Sequence, residues 1–179
     1  MSILVAATNG TQTTIGCDGR STIGEGDIVS TSEKKWVVNG RVALGCAGTA
    51  RFQMLASDVF ERLGNDLIIQ RPQLLFDEIK QELLKDGWQF RDGHGSQYAN
   101  EVALLVIGTT IYRMDADYTG IKVDLPYWAI GAGMDFALGA MFARFAWTSD
   151  PFDLTLKGLE AATKFNALCG GDLWWETLG

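Results

Sequence analysis

The order of predicted elements is the sequence feature that most constrains the fold. Two Asn-Gly pairs, at 9–10 and 39–40, each lie between apolar runs and predict hairpins with type I′ turns. The strands of these hairpins are predicted at 3–8, 11–17, 35–38 and 41–47. We therefore expect four antiparallel strands before residue 48.

Two amphipathic helices are predicted to follow these strands. Thr49 caps the first helix, whose apolar residues recur at helical spacing as far as Gly64. The second helix begins at Pro72, has acidic residues near its start and ends at Gly87. A loop is expected at 92–97 because this stretch contains two glycines.

The second half of the chain has the same order, strands and then two helices. Strands are predicted at 102–107, 110–114 and 127–130, and helices at 134–147 and 151–168. Because hairpins supply each sheet and the helices follow in pairs, two sheets are expected to pack face to face with a helical layer outside each. The sequence thus predicts an α+β fold, a four-layer αββα sandwich, in one domain covering residues 1–179.

Composition limits the classes of function. The chain has 179 residues, 47% of them hydrophobic, which suits one domain with a substantial core. Its formal net charge of −7 argues against a nucleic-acid partner or an anionic membrane, since both select basic surfaces. Three cysteines without paired spacing favour reduced thiols over a disulfide framework or a zinc site. We expect a cytoplasmic protein with no metal and no cofactor.

Ser2 carries the main chemical hypothesis. Methionine aminopeptidase removes Met before a small residue, which would leave Ser2 with a hydroxyl nucleophile and a free amine. The amine has a reference pKa of about 7.7–8.0, so that a useful fraction is neutral near pH 7 and can act as the base. A nearby cation enlarges that fraction; Lys34 is the candidate, and Asp18 would hold the ammonium in place. Strand alternation sends only one of two successive lysines inward, and Lys35 is expected to be the solvated one.

Five motifs resemble those of proteasome β-type subunits. They are Ser2 before an apolar strand, GCDGR at 16–20, EKK at 33–35, VALGCAGTA at 42–50 and AIGAGMDFAL at 129–138. Their order and spacing extend over essentially the whole chain, and within the family the chain looks most like the bacterial HslV peptidases. The resemblance implies the N-terminal-nucleophile hydrolase fold, which is the same four-layer sandwich that the element order predicts.

The resemblance also implies roles for four residues. The family's N-terminal threonine corresponds to Ser2, its aspartate to Asp18 and its lysine to Lys34. The glycine whose N–H forms the oxyanion hole corresponds to Gly48, in the turn before the first helix. A backbone donor at a helix N-terminus is suited to stabilise a developing negative charge.

Three positions that support the terminal amine depart from the family pattern. Ala132 stands where the family has a serine, Asn166 where it has an aspartate, and Cys169 where it has a second serine. An amide still accepts a hydrogen bond, but it does not stabilise a cation as a carboxylate does. The sequence therefore leaves both an active and an inactive protein open.

Two classes of function follow from these observations. The first is an N-terminal-serine peptidase in a homo-oligomeric ring, hydrolysing unfolded polypeptide with an ATP-driven unfoldase of the HslU class. The second is a catalytically inactive, proteasome-like structural or binding subunit, and a small-molecule amidase of the same wider class is a third possibility. His94, the only histidine, lies in the predicted loop, which disfavours a Ser-His-Asp enzyme.

Overall fold

The computed structural model describes residues 2–23, 27–88, 101–115 and 117–179. The strands in these ranges are β1 (Ile3–Thr8), β2 (Thr13–Asp18), β3 (Ser21–Ile23), β4 (Asp27–Ser30), β5 (Trp36–Asn39), β6 (Val42–Ala47), β7 (Val102–Ile107), β8 (Thr110–Met114), β9 (Gly120–Lys122), β10 (Tyr127–Gly131) and β11 (Leu173–Leu178). The helices are α1 (Ala50–Leu63), α2 (Asn65–Gln70), α3 (Pro72–Lys85), α4 (Met134–Phe145) and α5 (Pro151–Phe165).

The strands form two main antiparallel sheets. The first sheet has the order β10-β1-β2-β11 and the second the order β5-β6-β7-β8-β9, while β3 and β4 pair as a separate ribbon. One apolar core lies between the two sheets, a second between the first sheet and α4 and α5, and a third between the second sheet and α1 and α3. The predicted four-layer αββα arrangement is therefore the one observed.

The central strands are buried on both faces, as this layering requires. On β1, Ile3 and Val5 pack towards α4 and α5, whereas Leu4 and Ala6 face the other sheet. This alternation follows from the two-residue period of a strand. Gly45 on β6 lies opposite Leu4, where a Cβ atom would come within 2.5 Å of Leu4 Cδ2. The small residue lets the two sheets approach closely at this point.

Both predicted hairpins are present, but the prediction of type I′ turns centred on Asn-Gly is wrong. Neither asparagine has a positive φ, which a type I′ turn requires of both central residues. Asn9 instead accepts hydrogen bonds from the backbone N–H of Thr11 and Gln12, and the loop spans 9–12. Asn39 pairs with Val42 in the sheet, so that Gly40 and Arg41 form the second turn.

Five short or terminal elements are not predicted by the sequence pattern. They are β3, β4, α2, β9 and β11. β11 pairs with β2 at the sheet edge and leaves Trp174 and Trp175 38% and 48% exposed. Helices α4 and α5 also end two or three residues before the predicted limits. The loop expected at 92–97, with His94, lies outside the described residues.

Leu4→Ala tests the core between the sheets. Leu4 is fully buried there, so its truncation leaves a cavity and is expected to lower the free energy of unfolding by about 2–5 kcal/mol. Leu84→Ala on α3 is the control, because Leu84 is 43% exposed and its truncation is expected to cost about 0.5 kcal/mol. Denaturant unfolding at one protein concentration measures both variants. Equal losses would contradict the placement of Leu4.

Candidate active site

Asp18 lies at the end of β2 and binds the start of the chain. The register of β1 against β2 pairs Leu4 with Cys17, which brings Asp18 opposite Ile3. The Ile3 N–H donates to Asp18 Oδ1 at 3.0 Å, and the Gly170 N–H donates to Oδ2 at 2.8 Å. The side chain is fully buried. Asp18 therefore joins the peptide that follows Ser2 to the loop after α5.

Lys35 supplies the cation next to this carboxylate. Its Nζ lies 3.0 Å from Asp18 Oδ1 and also donates to the carbonyl oxygen of Asp18. The side chains of Lys35 and Asp18 are 1% and 0% exposed. Because an unpaired charge is costly in such a setting, each ion requires the other to stay buried.

The prediction that Lys34 is the inward lysine is wrong. Lys34 is exposed, forms an ion pair with Glu176 at 3.0 Å, and places its Nζ 4.7 Å from the centroid of the Trp36 ring. One lysine is buried and the other exposed, as the alternation argument expects, but the buried one is Lys35, which lies in irregular backbone just before β5 begins at Trp36. Glu176, moreover, belongs to β11, which the sequence pattern does not predict.

Ser2 is held by its backbone at the end of β10. It is 5% exposed, and its carbonyl oxygen accepts the Ala132 N–H at 2.8 Å. Gly131 has a φ of +98°, and a Cβ atom there would lie 2.2 Å from the Ser2 oxygen and 3.5 Å from Ala47 Cβ. Glycine at 131 thus leaves room for the Ser2 carbonyl, and Ala47, the residue before Gly48, lies on the same side of Gly131.

The three predicted supporting positions lie beside this contact. Asn166 Nδ2 donates to the carbonyl of Ala132 at 2.6 Å, and Asn166 Oδ1 accepts the Leu168 N–H at 2.9 Å. The Cys169 N–H donates to the Asn166 carbonyl at 3.1 Å. Burial raises the pKa of the Cys169 thiol to about 12, so it is neutral near pH 7. These residues stabilise the turn after β10 through hydrogen bonds to backbone groups, and none of them contributes a charge.

Gly48 occupies the turn between β6 and α1, and a residue missed by the sequence analysis lies against it. This residue is Glu101, whose carboxylate accepts the Thr49 N–H at 3.0 Å through Oε2 and 3.2 Å through Oε1. Glu101 is 2% exposed, and burial raises its pKa to about 7. A charged residue directly before the apolar run at 102–107 is the one sequence signal that marks it.

The described ranges contain no group of three or more His, Cys, Asp or Glu side chains suited to hold a metal ion. They also contain no helix that is long and apolar enough to cross a membrane.

Comparison with known proteins shows the fold of the chain. No family model matches it, and no curated protein is similar enough to match. Two structures of BPH from Thiobacillus denitrificans are 21% identical to the chain; the TM-score is 0.80 for one and 0.79 for the other, which is in complex with epoxomicin. Eukaryotic HslV from Trypanosoma brucei is 20% identical with a TM-score of 0.75.

These similarities extend over whole chains. The alignments cover 98–99% of this chain and 97–98% of the three solved chains. The chain therefore has the N-terminal-nucleophile hydrolase fold of HslV-like proteins, as predicted from its sequence. At this level of identity the similarity establishes the fold and assigns no residue a role.

Lys35→Met tests the buried ion pair. The variant leaves the Asp18 carboxylate buried without its cation, and the free energy of unfolding is expected to fall by about 3–5 kcal/mol. Lys34→Met is the matched control, since an exposed pair contributes only about 0–1 kcal/mol. Chemical unfolding of both variants in the same buffer measures the difference. A larger loss in Lys34→Met would reverse the assignment.

Ionisation of Glu101 is expected to make stability depend on pH. Its carboxyl has an ordinary pKa of 4.5 and a pKa of about 7 in the fold. Between these values the folded state binds more protons than the unfolded chain, so stability falls as the pH rises through this window. Over the whole window, the free energy of unfolding is expected to fall by about 3 kcal/mol.

Comparison with Glu101→Gln isolates this effect. The free energy of unfolding of the wild type minus that of the variant is expected to fall from pH 5 to about pH 8 and to stay level above it. Urea unfolding at four or five pH values measures it. A difference that does not change over this range would contradict the raised pKa.

Proposed function

We propose that this chain, which has the fold of HslV-like proteins, is an N-terminal-serine peptidase of the HslV type. One observation carries the proposal: the buried Asp18–Lys35 ion pair lies directly beside the peptide that joins Ser2 to β1. A buried ion pair is costly to form, and it contributes less to stability than apolar packing of the same volume. Its position next to a candidate nucleophile favours a chemical role.

The proposed reaction is acyl transfer to Ser2 after removal of Met1. The Ser2 amine takes the hydroxyl proton, and Oγ attacks the carbonyl carbon of the peptide bond. The Gly48 N–H donates to the oxyanion that develops. The proton then passes to the leaving amine as the peptide bond breaks, and water releases the acyl group from Ser2 by the same steps.

Lys35 takes the role that the sequence analysis gave to Lys34. A positive charge near the Ser2 amine disfavours protonation of that amine and enlarges its neutral, basic fraction. Asp18 keeps the ammonium of Lys35 in place and, through the Ile3 N–H, holds the backbone of the nucleophile. In this proposal Lys35 acts on the Ser2 amine through its charge, and Asp18 acts on the next peptide through a hydrogen bond.

We propose further that the chain works as a homo-oligomeric ring on unfolded polypeptide, with an unfoldase of the HslU class. Helix α4 and its C-terminal turn present apolar side chains that a monomer leaves in water; Phe142 is 73% exposed and Trp147 83% exposed. Large exposed apolar groups mark interaction surfaces. This surface supports assembly with other chains.

A second candidate is a catalytically inactive subunit of the same fold. The neutral groups of Ala132, Asn166 and Cys169 favour it, because they supply no carboxylate for the terminal amine. Both side-chain ends of Asn166 are engaged by backbone groups, which suits a structural brace. If the protein is such an inactive subunit, Ser2 does not react with a peptide bond.

Covalent labelling separates the two candidates. The purified protein is incubated with an N-terminal-nucleophile-directed β-lactone, and in parallel with epoxomicin, the compound present in one of the solved structures of BPH. Intact mass and peptide mapping then report the presence of Met1 and the site of any adduct. An adduct on Ser2 in protein lacking Met1 is expected. Processed protein without any adduct would favour the inactive subunit.

Variants assign the roles of the residues. Ser2→Ala is expected to lower hydrolysis of a casein or peptide substrate at least about a hundredfold, whereas Ser2→Thr keeps the hydroxyl and is expected to stay active. Lys35→Met is expected to lose at least about tenfold in acylation rate, and Lys34→Met less than about twofold. Size-exclusion chromatography checks that each variant assembles as the wild type does. Unchanged hydrolysis in assembled Ser2→Ala would overturn the proposal.

A further inference from the structure

Glu101 is the cross-strand neighbour of the proposed oxyanion glycine. β6 and β7 are antiparallel, with Ala47 opposite Val102, so the next pair outward is Gly48 and Glu101. Glu101 is nonetheless 2% exposed, which is unusual for a glutamate. The register of the sheet thus places a buried carboxyl beside the turn that leads into α1.

The carboxyl of Glu101 takes up a backbone donor that the helix does not use. Thr49 is the N-cap of α1: its hydroxyl oxygen accepts the Phe52 N–H and its carbonyl accepts the Gln53 N–H. Its own N–H precedes the helical hydrogen bonds and donates to both oxygens of Glu101. Glu101 therefore holds the peptide between Gly48 and Thr49 from one side, while α1 holds Thr49 from the other.

The same carboxyl fills the space beside the Gly48 Cα. Gly48 has a φ of +151°, and a Cβ atom built there would lie 1.5 Å from Glu101 Oε2. Residue 48 must therefore be glycine for two reasons, its backbone conformation and the position of Glu101. A change at Glu101 is expected to alter the freedom of the Gly48 backbone directly.

The charge of Glu101 also acts on this turn. Cys46 on β6 and Tyr118 after β8 interact with it, and burial raises the pKa of both, so that neither is charged near pH 7. Glu101 itself titrates near pH 7. Its ionisation brings a negative charge next to the donor of the proposed oxyanion hole, where it opposes the charge that develops in the reaction.

We propose that Glu101 is a positioning residue that holds the Gly48–Thr49 turn and thereby orients the Gly48 N–H towards the oxyanion. This inference rests on the proposed peptidase function. Glu101 touches neither substrate nor Ser2 in this role and acts through the turn. Like Lys35, it lies outside the seven residues that the sequence analysis selected, and its charge gives kcat a pH dependence that a neutral brace would not produce.

The test compares Glu101→Gln, Glu101→Leu and the exposed control Glu61→Gln on α1. Glutamine keeps an acceptor for the Thr49 N–H without a charge, whereas leucine keeps the bulk and removes the acceptor. Two readouts are combined: kcat and KM for a peptide substrate from pH 6 to 8.5, and amide hydrogen exchange at Thr49 by mass spectrometry with fragmentation. The second readout does not depend on catalysis.

Glu101→Leu is expected to lower kcat at least about tenfold with little change in KM, and to speed Thr49 exchange. Glu101→Gln is expected to keep kcat within about threefold of the wild type at pH 6, since the hydrogen bond remains. Its rate relative to the wild type is expected to rise at least about threefold by pH 8.5, since it carries no charge. Glu61→Gln is expected to follow the wild type at every pH.

Three outcomes would overturn the inference in whole or in part. Unchanged kcat in Glu101→Leu, with faster Thr49 exchange, would reduce Glu101 to an acceptor for a helix N-terminus. A pH profile of Glu101→Gln parallel to the wild type would remove the effect of its charge. A wild type that lacks Met1 and forms no Ser2 adduct would overturn the proposed function and the catalytic part of this inference, while Thr49 exchange would still report whether Glu101 holds the turn.

Discussion

The carboxylate of Asp18 is the interaction on which the rest of the site depends. It is fully buried, and three donors meet it: the Ile3 N–H, the Gly170 N–H and Lys35 Nζ. These donors lie 15, 152 and 17 residues away in the chain. A carboxylate buried away from solvent needs such partners. Asp18 therefore fixes the positions of three segments relative to one another: the start of the chain, the residues before β5 and the loop after α5.

Ala132 and Asn166, two of the three supporting positions, complete this arrangement with neutral groups. Ala132 binds the Ser2 carbonyl through its N–H, and Asn166 binds the carbonyl of Ala132 through its side chain. These two hydrogen bonds hold the Ser2 backbone in a defined position without any additional charge. The Asp18–Lys35 pair therefore places the buried charges beside the Ser2–Ile3 peptide, whereas the carboxyl of Glu101 lies against Gly48.

Local patterns in the sequence predicted most of the architecture. The helix from Thr49 to Gly64 was predictable because its cap, its apolar period and its stop are all local signals. The central strands were predictable because burial on both faces makes them nearly continuous apolar runs. The edge strand β11 was not predictable, because its two exposed tryptophans and its glutamate show no local strand pattern. It forms through its pairing with β2.

The sequence by itself determined the layer order, the candidate nucleophile and the aspartate that lies beside it, because these depend on local periodicity and on motifs that stay close in the chain. Only the tertiary structure decided between Lys34 and Lys35, since the answer depends on where β5 begins and on Glu176, about 140 residues away. It also decided that Glu101 lies against Gly48, because a register between two strands, not any local pattern, brings those residues together. Both outcomes depend on long-range pairing and burial, which no local window of sequence contains.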